Sequence, residues 1–267
     1  MKTLQSILIT TLMLSMHLSA ADKEVGKGKP LFENSIVSTE FDFITCDDPS
    51  AFKSLLFLGQ GIREMPDKRN DVLMAKDTFL FEASFHDGSK VKIWAHSSFG
   101  SMEMATRYAL MLSVPLGKLP EVMRKKISHV VIHKGNETAF GESDGHFFVL
   151  YSENMETRVR NHDLEETVFH ESVHATLESK YTKKREWLSA QKADDSFITK
   201  YAARTPGKED LPESALFAYT VLKHPGRLPS DVEEWVHKNM PNRLAFFQKV
   251  FPKVENETNR VESEDNR

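Results

Sequence analysis

Residues 161–180 read "NHDLEETVFHESVHATLESK", and the way this stretch folds decides what can be built around it. As a helix it is well specified. Asp163 stands where an N-cap belongs and Glu166 follows three residues later, the spacing of a capping box. Leu164, Val168, Val173 and Leu177 supply the apolar positions of the helical period. His170 and His174 are four residues apart, so both imidazoles leave one face of a helix and can meet at one ion. Glu171 is rotated about 100° from His170, close enough to reach a water held there. Two neutral nitrogen donors with a carboxylate base beside them are what a zinc hydrolase needs.

A catalytic zinc takes three protein ligands and keeps one position for water. After His174 the chain continues "ATLESKY", without the Gly and His of the metzincin continuation, so the third ligand must lie further on. The stretch 197–221, "FITKYAARTPGKEDLPESALFAYTV", offers Glu209 and Glu213, four apart at the start of a second helix. One of the two can bind the metal while the other accepts the second ring N–H of a metal-bound histidine. Pro212 is tolerated in the first turn of that helix, where its missing N–H leaves nothing unpaired.

These two segments together resemble the lethal-factor-like branch of the gluzincin metallopeptidases, which includes the secreted Pro-Pro endopeptidases. The match covers roughly residues 160–220, and uncharacterised secreted bacterial proteins share the wider pattern. The resemblance implies a zincin-like catalytic fold and one catalytic zinc. It implies His170, His174 and Glu209 as metal ligands, Glu213 as the outer support, Glu171 as catalytic base and Tyr201 as the tyrosine facing the substrate. Pro212 stands where the family pattern has Ala, and the gap from Tyr201 to Glu209 is one residue longer. Because of these two departures, Glu213 stays in reserve as the ligand.

The rest of the chain is read around this centre. Residues 1–21 have Lys2, an apolar run from Ile7 to Leu18 and small residues at the end, the layout of a signal peptide cut after Ala20 or Ala21. Export to the periplasm or the outside of a bacterial cell is the expectation, with no membrane insertion after cleavage. The polar linker "DKEVGKGKP" (22–30) is expected to be mobile. "SIVSTEFDFIT" (35–45) reads as a strand, with Cys46 near its end. "DPSAFKSLLFLGQGI" (48–62) has a capping start and helical spacing of its apolar residues, which predicts a helix. "TFLFEASFHDGSKVKIWAH" (78–96) alternates around a tight HDGS turn and predicts a hairpin. A helix is expected over 101–120, ended by Pro115 and Gly117. Strands follow in "ISHVVIHKG" (127–135) and "HFFVLY" (146–151), the latter the candidate edge strand for an extended peptide substrate. From Asn161 onward the chain reads as helical, and the acidic tail 254–267 as disordered. His146 and His162 have no spaced partner and read as solvated or capping residues, not ligands.

The fold class expected is α+β, with a mixed sheet ahead of the active-site helix and a mostly helical C-terminal half. Residues 22–125 form an N-terminal α+β portion, either an accessory lobe or an integral part of the catalytic fold, and 126–253 the catalytic core. The 267 residues carry a formal net charge of −4, which gives no reason to expect nucleic acid as a partner. Cys46 is the one cysteine, so intramolecular disulfides and zinc bound by a cysteine cluster are excluded. The expected partner is a peptide or protein substrate, the expected state a monomer, and the expected activity a zinc endopeptidase. A catalytically silent zincin-fold module of the cell envelope is the alternative.

Overall fold

The computed structural model describes residues 28–35 and 41–252. The proposed signal peptide and the tail 254–267 lie outside them. The described chain is a mixed α+β structure. Its first strands are β1 (Phe52–Glu64), β2 (Met74–Phe85) and β3 (Lys90–Ala95), followed by helices α1 (Met102–Lys118) and α2 (Glu121–Arg124). Strands β4 (His129–His133), β5 (Phe140–Glu142) and β6 (Phe147–Tyr151) come next. Helix α3 (Ser152–Arg160) leads into α4 (Leu164–Val173), which continues through a π-helical turn (His174–Glu178) into α5 (Ser179–Tyr181). Helices α6 (Arg185–Ala193), α7 (Lys200–Arg204), α8 (Asp210–Lys223), α9 (Ser230–Asn239) and α10 (Pro241–Val250) complete the chain.

The six strands form one sheet in the order β1-β2-β3-β4-β6-β5. β1, β2 and β3 are antiparallel, β3, β4 and β6 parallel, and β5 runs antiparallel to β6. One continuous core, from Phe43 to Phe251, joins the inner face of the sheet to α1, α4, α8 and α10, so the N-terminal portion packs into the same interior as the helical half. A smaller cluster of Met65, Ala75, Val131, Val149 and Tyr151 lies on the opposite face.

The hairpin forms as its alternation predicts, with Gly88 at φ 80° in the turn. Three local expectations do not hold. Residues 52–62 are strand, not helix: Gly59 and Gly61 each weaken a helix by about 1 kcal/mol. Pairing with β2, including Phe57 against Phe81 at 5.3 Å, favours the extended form. Residues 41–45 form no strand, residues 36–40 lie outside the described chain, and Cys46 is exposed in a turn. α1 runs through Pro115 and Gly117 to Lys118. Gly117 is needed there for space, because a Cβ would sit 2.1 Å from Ser50 Oγ and 2.6 Å from Phe52 N. Of the expected mobile linker, residues 22–27 lie outside the described chain; at its end Gly28 N donates to Asp195 O at 2.5 Å, and Ser196 Oγ to Gly28 O.

The edge of the sheet is also reassigned. β6 is internal, paired on both sides, and β5 is the terminal strand, pairing no further strand among the described residues. Residues 140–142 look like part of a Gly-rich loop because three residues are too few to show a period.

Candidate metal centre

α4 is buried along most of its length, with Val168, Phe169 and Val173 in the core, joined by Leu177 of the π turn. The capping box does not form. Asp163 makes no side-chain cap and instead accepts from Arg158 Nη1 at 2.8 Å. Glu166 turns inward and accepts from the backbone N–H groups of Phe43 (3.0 Å) and Ile44 (3.2 Å), fastening the preceding segment to the helix. Its carboxyl is pushed up to about 7 because burial outweighs those two donors.

One turn further on, His170 and His174 share a face. Their Nε2 atoms are 3.3 Å apart. Glu209, at the start of α8, brings Oε2 to 3.5 Å from Nε2 of His170 and 3.4 Å from Nε2 of His174. The three side chains are buried, their donor atoms lie within 4.8 Å of one another, and together they could hold a metal ion. Oε2 of Glu209 is a buried oxygen without a hydrogen-bond partner among the described residues, as expected of an atom meant for an ion. Glu209 rather than Glu213 therefore meets both imidazoles.

The other ring nitrogens face carboxylates. Nδ1 of His174 lies 2.6 Å from Glu178 Oε2, a short charge-assisted contact. Nδ1 of His170 stands 3.5 Å from Oε1 of the fully buried Glu213, within ion-pair reach but beyond a good hydrogen bond. Glu178 is the residue that sequence reading missed, although its spacing four residues after His174 on the same helix was visible. Burial alone would depress His174, yet contact with Glu178 and Glu209 raises it to about 10. Burial likewise opposes ionisation of Glu209, but the paired imidazoles win and hold it below the usual carboxylate range. Carboxylates thus crowd two imidazoles in a buried space, an environment that favours a cation.

Comparisons of the chain with family models, curated proteins and solved structures find no match. The surrounding elements are fixed by their own contacts. Asp210, next to Glu209, is clamped by Arg243 Nη2 at 2.8 Å, and Asp194 takes Nη1 of the same guanidinium at 3.0 Å, all three side chains fully buried. Thr199 caps α7 by accepting from Ala202 N, which sets Tyr201 beside the centre. The Tyr201 phenol is kept protonated well past its ordinary range by burial and then by the neighbouring Glu209 charge. Glu171 is buried on α4 between the histidines.

β5 packs directly on this helix. A Cβ on Gly141 would lie 2.5 Å from Glu171 O and 2.6 Å from His174 Cβ, so only glycine allows the approach. His146 and His162 are not among the metal-site residues. His146, at φ 52°, places Nδ1 2.8 Å from Ala175 O inside the π turn, a contact to the body of the helix and not a cap at its end. Among the described residues no helix is long and apolar enough to cross a membrane.

Proposed function

We propose that the chain is a zinc-dependent endopeptidase of gluzincin type on a zincin-like fold. One observation carries the reading. Tetrahedral zinc, with nitrogens about 2.0–2.1 Å and oxygen about 2.0–2.2 Å away, sets its ligands about 3.3–3.5 Å apart. The separations among His170, His174 and Glu209 are 3.3, 3.4 and 3.5 Å. The carboxylate at His174 Nδ1 fits as well, since it fixes the tautomer that leaves Nε2 free for a metal, and Glu213 stands within ion-pair reach of His170 Nδ1. Glu178 fills that supporting role, and Glu213 is placed to take the same one behind His170.

Zinc held there supplies a Lewis acid and a water of lowered pKa. The residues of the chain do the rest. Glu171 accepts a proton from the attacking water and returns it to the leaving amine, acting as base and then acid. Tyr201, protonated at any physiological pH, donates a hydrogen bond to the oxyanion that forms on the scissile carbonyl. An extended peptide adds to the free edge of β5, whose Gly141 backbone already lies against Glu171 and His174. The substrate is a peptide or protein met after export.

Digestion of a random peptide library, with and without a chelator and read by mass spectrometry, tests the activity. Cleavage should vanish with the metal. Glu171→Gln should keep stoichiometric zinc and a native fold while losing about 10²–10⁴-fold or more in hydrolysis. Hydrolysis unchanged in that variant would remove Glu171 from the mechanism, and purified protein without a divalent ion would remove zinc.

A further inference from the structure

The segment 28–35 runs as a strap across the elements that carry the metal centre. Phe32 makes a parallel bridge to Thr199, with Phe32 N donating to Ile198 O at 3.0 Å and Lys200 N to Phe32 O at 2.9 Å. The Phe32 ring stacks on Phe217 of α8 at 5.5 Å. Glu33 pairs with Lys200 at 2.6 Å. Three residues beyond Phe32, Ser35 Oγ donates to Glu213 Oε1 at 2.5 Å. That oxygen is the one facing His170 Nδ1. Phe217 and Glu213 are one turn apart on α8, so the strap docks by an apolar contact at one point and a polar contact at the next.

We infer that Ser35 is a positioning residue for the metal centre, acting through Glu213 on the ring of His170. The inference rests on the zinc reading above. A fully buried carboxylate is held by its donors, and its angle decides how well it can accept from the imidazole behind the metal. Ser35 is one such donor, from 178 residues away in sequence. Ser35 is not one of the proposed ligands, and the Phe32–Phe217 stacking gives the strap a second docking contact that does not use the hydroxyl.

The test uses the full chain with Ser35→Ala and Ser35→Thr beside wild type. Zinc release into excess chelator is timed, and the visible spectrum of the cobalt(II)-loaded protein is recorded. Thermal melts followed by circular dichroism report folding. Ser35→Ala should release zinc about tenfold faster and shift the cobalt bands, with little change in melting. Ser35→Thr, which retains a hydroxyl, should return both readings to within about twofold of wild type. If Ser35→Ala unfolds, Ser35→Thr alone decides: a native fold with wild-type release and bands supports the role, and a native fold with perturbed bands overturns it. Wild type that holds zinc, beside a Ser35→Ala variant with identical release and spectrum, overturns the role of Ser35 and leaves the metal centre standing. Wild type that takes up neither zinc nor cobalt overturns the metal centre, and this inference with it.

Discussion

Replacing Glu166 by Gln should change how the stability of the protein depends on pH, and the amount follows from the site. The carboxyl has an ordinary value of 4.5 and is raised to about 7 in the fold, where burial dominates over the N–H groups of Phe43 and Ile44. Between those values the folded protein holds a proton that the unfolded chain has released. The stability it contributes is therefore present below pH 4.5 and is lost as pH rises through 7. At about 1.4 kcal/mol for each tenfold ratio, the loss between pH 5 and pH 8 is about 2.5 kcal/mol. Gln keeps a carbonyl oxygen for both backbone donors and has no proton to lose. Urea unfolding of metal-free wild type and Glu166→Gln at pH 5 and pH 8 isolates the effect, because the other titrating groups are common to both. The difference should move by about 2–3 kcal/mol in favour of the variant on going to pH 8. A difference that stays constant across that range refutes the claim that burial governs this carboxyl.

Three further outcomes concern the centre itself. Glu209→Ala should lose more zinc affinity than Glu213→Ala in chelator competition, and the reverse order would make Glu213 the ligand. Glu178→Ala should weaken zinc binding about 10–100-fold by removing the acceptor behind His174, and wild-type affinity in that variant would leave Glu178 an incidental neighbour. Gly141→Ala should destabilise the fold by about 1–3 kcal/mol, since its Cβ meets the Glu171 carbonyl and His174 Cβ. It should also slow peptide hydrolysis by displacing β5, and a native melting curve would contradict that close packing.

What could be read from the sequence follows a physical boundary, the reach of local periodicity. His170, Glu171 and His174 lie within one helical turn and a fraction, so their common face was fixed by the 3.6-residue repeat alone. Glu209 and Glu213 were legible as a pair for the same reason, but which of them meets both imidazoles depends on how α8 packs against α4, which no local spacing contains. Residues 52–62 show the limit. Their apolar spacing suits a helix, but the strand partner in β2 competes for the same backbone, and no count within the segment contains that partner. β5 is shorter still, and its place at the edge depends on a glycine whose meaning appears only when α4 lies against it.

Glu166 marks where local logic was right in type and wrong in partner. The residue does satisfy backbone N–H groups, as a capping box would, but those of Phe43 and Ile44 rather than of its own helix. Accepting from a distant segment lets one carboxylate fasten the chain entering the core to the helix that carries the histidines. A local cap would have stabilised α4 alone. The distant contact places the N-terminal chain against the helix that carries both histidines, and the Ser35 contact does the same at α8. Both helices of the centre are thus tied to the chain before the sheet, so the geometry of the site depends on residues that contribute no ligand to it.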